Sequence, residues 1–261
     1  IASVTGVITD IRTAVENGNS VYYIALDGKA VYYSMSAVSD NNVVILNVGN
    51  LIDLSFVDKY SISALLYVWQ GGQEGANALA DMLSGKISPC GKLPNTQTKK
   101  AEDYPYFNNF GDRNESIYQE DIYVGYRYFE TFDKNKVRYP FGYGLTYTTF
   151  KTNYLAKIED EKITVTATVK NVGDFISREV VQVYFGAPCG KLGTPSKQLI
   201  AYAKTKELKP NETEALELSF NVKDMASYDD SGVTGNEFCY VLEAGDYKIY
   251  CGTDVRNSEC I

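Results

Sequence analysis

Two unbroken apolar runs, residues 43–48 (VVILNV) and 64–69 (ALLYVW), constrain this chain more than any other feature. A strand with one wet face alternates polar and apolar residues. A run that is apolar throughout suits a strand covered on both faces, as in a parallel sheet. Gly49 follows the first run, and Gly71-Gly72 follows the second. Between them, residues 53–60 read as a short helix. Beyond the glycine pair, Ala76, Leu79, Ala80 and Leu83 recur at helical spacing within residues 74–84, and Gly85 stands where a C-terminal cap belongs. Strand, helix, strand, glycine turn, helix is a βα pattern, so this segment reads as α/β.

The flanking segments differ. Residues 4–11, 21–26 and 30–35 are β-branched or aromatic runs, separated by the turn residues of 16–19 (ENGN) and by Asp27-Gly28. They predict a small antiparallel sheet across residues 1–42. From Cys90 to Phe150 the pattern dissolves into aromatics, glycine, proline and asparagine, a long loop-rich stretch of the kind often kept for function. Its tyrosines and phenylalanines either stack on a ligand or pack the loop onto its own domain. Residues 151–261 turn to short alternating strands at 162–169, 180–185, 215–220 and 247–250, with Asn171-Val-Gly-Asp174 and Ala244-Gly-Asp246 as turns. That spacing indicates an immunoglobulin-like β-sandwich. The expected domains are therefore 1–42, 43–150 and 151–261, a fold of α/β plus all-β class.

Composition excludes several function classes. A net charge of −8 leaves no basic footprint for nucleic acid, and no apolar run is long enough to span a membrane as a helix. The chain has no histidine, so it holds no Ser-His-Asp triad and no His-ligated zinc. Acid–base work falls to carboxylates, lysine or tyrosine. The five cysteines (90, 189, 239, 251 and 260) lack CxxC spacing, and neither a metal nor any other cofactor is expected. Free thiols in a reducing, cytoplasmic setting are the favoured reading, with a Cys251–Cys260 pair the alternative for an exported protein. The chain opens on Ile1 with no leader pattern after it, so a processed or partial chain is expected.

Three ordered motifs then carry a resemblance. Val68-Trp-Gln-Gly-Gly-Gln-Glu-Gly-Ala-Asn77 runs into Ala80-Asp-Met-Leu-Ser-Gly85 and Pro89-Cys-Gly-Lys-Leu-Pro94. Tyr118-Gln-Glu-Asp-Ile-Tyr-Val-Gly-Tyr-Arg-Tyr128 follows, and then Tyr139-Pro-Phe-Gly-Tyr-Gly-Leu-Thr-Tyr-Thr-Thr-Phe150. Together they resemble the C-terminal region of family 3 glycoside hydrolases of β-glucosidase type. Residues after Phe150, including Lys170-Asn-Val-Gly173, resemble the fibronectin type III-like domain that follows in many of them. The likeness covers residues 43 to about 255.

The resemblance implies hydrolysis of β-linked glucosides by a retaining mechanism, which needs two carboxylates about 5 Å apart. In this family the nucleophile lies on a separate (β/α) barrel, which takes about 250 residues and shows no eight-fold pattern here. The acid/base glutamate lies ahead of the segment equivalent to 43–48. Residues 1–42 hold one glutamate, Glu16, in a turn. Neither catalytic role is carried onto this sequence, and the chain alone is expected to be inactive. The alternative is a carbohydrate-binding or scaffolding module without catalysis. Candidate substrate-binding residues are Glu74, Tyr106, Tyr126 and Arg127. Glu74 doubles as a first-turn acid at a helix N-terminus, and Arg127 as an ion-pair partner of Glu120. Expected partners are a β-linked oligosaccharide or glucoside and the missing barrel. A homo-oligomer is a further expectation, because an α/β domain short of strands exposes an edge and an apolar face.

Overall fold

The computed structural model describes residues 8–16, 19–26, 35–37, 43–60, 62–109, 111, 113–115 and 117–261. They belong to two compact units, Ile1–Ser84 with Thr98–Asn108, and Gly85–Gln97 with Asn109–Ile261. The aromatic segment from residue 109 onward thus clusters with the sandwich.

The first unit begins with an antiparallel sheet of β1 (Ile8–Glu16), β2 (Asn19–Leu26) and β3 (Met35–Ala37) in the order β1-β2-β3. Its register pairs Glu16 with Asn19, so both ends of the expected 16–19 turn are strand residues, and the Asn-Gly between them lies outside the described residues. The Asp27-Gly28 turn and the run at 30–34 lie outside the described residues. Strands β4 (Val43–Leu46) and β5 (Ala64–Tyr67) form a parallel pair, Val43 opposite Ala64 and Leu46 opposite Tyr67. Helix α1 (Phe56–Lys59) lies between them in sequence, and α2 (Gly75–Leu83) follows β5.

The parallel pairing agrees with the sequence, but the burial does not. Leu46 and Val48 are buried, whereas Val43 and Ile45 are 39% and 37% exposed. An apolar run announces cover on both faces. Here the described sheet has two strands, and one face of β4 stays open. Helix α2 likewise buries no residue, and Leu83 is exposed. The core of this unit lies instead under the β4–α1 connection, where Ile52, Leu54 and Phe56 join Leu46.

The short strand β6 (Gln97–Thr98) falls on the boundary between the units in sequence, and the second unit carries β7 (Val137–Tyr139) and then a sandwich. One sheet is ordered β12-β9-β8, with β8 (Phe150–Glu159), β9 (Lys162–Asn171) and β12 (Thr213–Asn221). The other is ordered β11-β10-β15-β16, with β10 (Val180–Gly186), β11 (Gln198–Lys204), β15 (Lys248–Gly252) and β16 (Ser258–Cys260). A hairpin of β13 (Ser227–Asp229) and β14 (Cys239–Val241) projects between them in sequence. The alternation of β9 does what period two demands: Ile163, Val165, Ala167 and Val169 face the core with Val181, Val183, Leu218 and Phe220.

Two features of this unit depart from the sequence reading. Strand β10 is buried on both faces, because the aromatic segment covers its outer side. Within the stretch read as loop, Tyr126–Phe132 forms helix α3, whose Phe129 has no exposed surface. Its β-branched and aromatic flanks argue weakly for helix, and tertiary packing overrides propensity there. All five cysteines are free thiols. Cys251 and Cys260 sit on adjacent strands but out of register, opposite Glu259 and Tyr250.

Candidate functional site at the carboxyl ends of the parallel strands

In open α/β sheets, ligands bind beyond the carboxyl ends of the strands. In the first unit that edge is built from the turns after β4 and β5. The turns are in close contact: a Cβ on Gly49 would lie 2.7 Å from the Gln70 amide nitrogen. The Tyr67 hydroxyl donates to the Asn50 carbonyl, and the Val68 N–H donates to the Leu46 carbonyl at 3.0 Å. Trp69 follows with φ of 54°, a left-handed backbone unusual for a bulky residue. Its half-buried ring meets Tyr67 at 4.5 Å between centroids, tilted by 50°. Such strain, on the order of 1–3 kcal/mol, persists where the surroundings fix it, and it clusters at ligand-binding sites.

Glu74 is exposed and occupies the N-cap of α2, one residue before the first turn. Its side chain makes no capping bond. Its Oε2 instead accepts from Asn77 Nδ2 at 2.6 Å, so the expected role of satisfying first-turn N–H groups is not the one adopted. Tyr106 is 48% exposed in a turn with φ of 59°. A further carboxylate, Asp53, escaped the sequence reading. Its Oδ1 accepts from the Ser55 N–H at 2.8 Å and its Oδ2 from the Ala101 N–H at 2.9 Å, fastening the 98–108 segment to the α/β core. Burial alone would raise this carboxyl. The bonds from Ser55 and Ala101, with the charge of Lys100, outweigh it and hold the group below the usual carboxylate range. With both oxygens engaged, Asp53 is structural.

In the second unit Tyr126 stacks on Phe141 at 4.5 Å, and its hydroxyl accepts from the Leu199 N–H at 2.9 Å. The ring is spent on packing α3 against the sandwich. Arg127, one residue on, borders a cleft on the sandwich. Among the described residues it forms no ion pair with Glu120; the ion pairs of this region are Arg256–Glu130 at 2.8 Å and Lys92–Glu179 at 2.9 Å.

The motifs of this unit bind one another. Leu93 N–H donates to the Tyr143 carbonyl and Gly142 N–H to the Leu93 carbonyl, both at 2.8 Å, while Lys92 Nζ reaches the Gly144 carbonyl at 2.9 Å. Gly142 has φ of 81°, and any Cβ there would sit 2.2 Å from Gln182 Oε1. Gln182 in turn donates to the Gly142 and Thr253 carbonyls and accepts from the Tyr184 hydroxyl. The Gly-Lys-Leu-Pro and Pro-Phe-Gly-Tyr-Gly strings are therefore two halves of one structural clasp on β10.

An open α/β unit joined in sequence to an aromatic clasp and a β-sandwich defines a two-unit protein of α/β plus all-β class. Residues 7–147, more than half of the chain, match the glycosyl hydrolase family 3 C-terminal domain, and residues 179–255 match a fibronectin type III-like domain. The chain belongs to glycosyl hydrolase family 3. The match begins at residue 7, well ahead of residue 43, where the likeness read from the sequence begins. A β-glucosidase of Ruminococcus albus is 49% identical over 240 residues, 91% of this chain and 25% of that protein. The structure of a β-glucosidase from Paenibacillus barengoltzii superposes with a TM-score of 0.83 at 48% identity, over 85% of this chain and 25% of its own. β-Glucosidase 3B of Thermotoga neapolitana, solved in complex with glucose, gives 0.74 at 38% identity, over 83% of this chain and 30% of its own. The chain thus spans about a quarter to a third of the relatives it matches, and the described residues contain no (β/α) barrel.

Proposed function

We propose that this chain serves a β-glucosidase as its non-barrel part, and that it hydrolyses no glycoside by itself. The observation that carries the reading is the carboxylate inventory at the strand ends. Asp53 has both oxygens committed to backbone N–H groups, and Glu74 is held by Asn77. A retaining hydrolase needs a second carboxylate about 5 Å from the first, free to attack the sugar. In this reading a barrel supplies the nucleophile. The edge built from Trp69, Gln70 and Glu74 faces the glucoside, with Trp69 offering an aromatic face to the sugar ring and Glu74 a hydroxyl acceptor. Tyr106 is a second exposed aromatic of the same unit.

The test is hydrolysis of an aryl β-glucoside by the purified chain, and then by the chain supplied with a family 3 barrel as a separate polypeptide. The expected results are no turnover alone and turnover on mixing, reduced by Trp69→Ala. Turnover by the chain alone, abolished by Glu74→Gln, would overturn the proposal.

A further inference from the structure

The sandwich carries a cleft that the reading above leaves unused. It has a volume of about 710 Å³ and lies where the edge strands of the two sheets meet, β11 at residues 198–200 and β12 at residues 219–221. Its size is that of a site for a small molecule. Its floor is apolar, from Phe185 and Phe220, both buried and so unavailable for ring stacking. Its polar lining is Arg127, Lys162, Gln198, Ser219, Asn221 and Asp224.

The charges in this lining are unbalanced. Among the described residues, neither the half-buried Arg127 guanidinium nor Lys162 has a carboxylate within ion-pair distance, although the chain carries an excess of acidic groups. Asp224 is the one acid of the lining. Its Oδ2 is taken by the Asn221 N–H at 2.8 Å and the Asn221 side-chain amide at 3.1 Å. Two cations thus face the cleft against one carboxylate, whose Oδ2 is held by Asn221. A guanidinium that is half withdrawn from water with its fork unfilled matches a planar carboxylate, which it can bind through two parallel N–H···O bonds. Around it, the side-chain amide of Gln198 and the hydroxyl of Ser219 supply both donors and acceptors. That mixture suits hydroxyl groups, each of which gives one hydrogen bond and takes others.

We propose that this cleft is a binding site for a small hydroxylated carboxylate, a sugar acid, with Arg127 holding the carboxylate, Lys162 adding to the field and the amide and hydroxyl groups reading the hydroxyls. The site is independent of glycoside hydrolysis. It also gives Arg127 a task that its neighbour Tyr126, closed into the packing, does not share.

Calorimetric titration of the whole 261-residue chain with D-glucuronate, D-glucose and acetate tests it. Glucuronate is expected to bind at least about tenfold more tightly than either control, since glucose lacks the charge and acetate the hydroxyls. Arg127→Gln should lose about tenfold or more of the glucuronate affinity. Lys162→Gln, at an exposed position, should lose a few-fold, and added salt should weaken binding. Equal binding of glucose and glucuronate, equal binding of acetate, or full affinity in both variants would each overturn the assignment. If Arg127→Gln proves unfolded by circular dichroism, the Lys162→Gln result decides alone.

Discussion

Glu130 and Arg256 offer the sharpest test of what holds the second unit together. Glu130, on α3, is 5% exposed at its side chain, and its Oε1 meets Arg256 Nε at 2.8 Å. Arg256 is 32% exposed and also donates from Nη2 to the Lys134 carbonyl at 2.8 Å. A buried ion pair adds little net stability, but removing one partner strands the other charge away from water, at a cost of about 3–5 kcal/mol. Arg256 is a third open to solvent, and the ammonium of Lys197 lies near enough to Glu130 to feel it. Both effects soften the penalty, so Arg256→Met should cost about 2–3 kcal/mol. Methionine keeps much of the stem's packing, which isolates the charge. For a unit of this size, the loss corresponds to a fall in melting temperature of about 4–12 °C. Adding Glu130→Gln removes the stranded charge and should recover about half of the loss; with the cost of the Glu130→Gln single added, the coupling should reach about 1.5–3 kcal/mol. Urea unfolding followed by circular dichroism, with calorimetry beside it, measures all four corners of the cycle. A single variant within about 0.5 kcal/mol of the parent, or a double variant equal to the sum of the singles, would refute the reasoning.

Gly142→Ala forces a Cβ to 2.2 Å from Gln182 Oε1 at a φ of 81°, and backbone strain plus overpacking should cost about 2–5 kcal/mol in urea unfolding; a loss below about 1 kcal/mol would mean the clasp yields freely. Burial pushes the Cys251 thiol up to about 12, so thiol-directed labelling followed by mass spectrometry should modify exposed Cys189, Cys239 and Cys260 first and Cys251 only after denaturation; labelling of Cys251 at the rate of Cys260 would show that strand β15 opens. The Asp229 carboxylate, bonded by the Thr234 hydroxyl and by backbone N–H groups of Thr234, Gly232 and Ser231, is held down to about 2 against its usual 3.8. A depressed carboxyl contributes stability above its unfolded value and loses it as pH falls through the folded one. The loop from Asp229 to Thr234 should therefore stay ordered through pH 4 and loosen only toward pH 2. An NMR titration that finds this carboxyl protonating near 4 would exclude the arrangement.

Much of this architecture was legible because period decides burial. The alternation in residues 162–169 gave the sandwich face, and the paired apolar runs gave the parallel strands. What the pattern could not carry was which neighbours are present. Val43 and Ile45 are apolar enough for a covered face, yet that face is open on β4. Conversely, 180–185 reads as a half-covered strand, yet Tyr184 and Gln182 are sealed beneath Tyr126 and Gly142. Helix α3 was hidden because its residues favour strands and only the packing of Phe129 pays for the helix. The family motifs pointed at chemistry, while Gly142, Gly144 and Lys92 turn out to hold the sandwich together. Among the site residues, Glu74 and Tyr106 could be read as exposed. The left-handed turn at Trp69 and the anchoring bonds of Asp53 arise from backbone geometry, for which side-chain type leaves little signal beyond the glycines that follow Trp69.

Trp69 is the only tryptophan in a chain with 22 tyrosines, and it belongs to the first unit. Indole absorbs at longer wavelengths than phenol, so red-edge excitation addresses that unit alone. Its emission will report polarity and mobility at the strand ends, while far-ultraviolet dichroism is weighted by the β-rich second unit. Tyr67, at 4.5 Å between ring centroids, is close enough to pass excitation to it. The protein therefore carries a built-in probe for asking whether its two halves unfold as one body or in sequence.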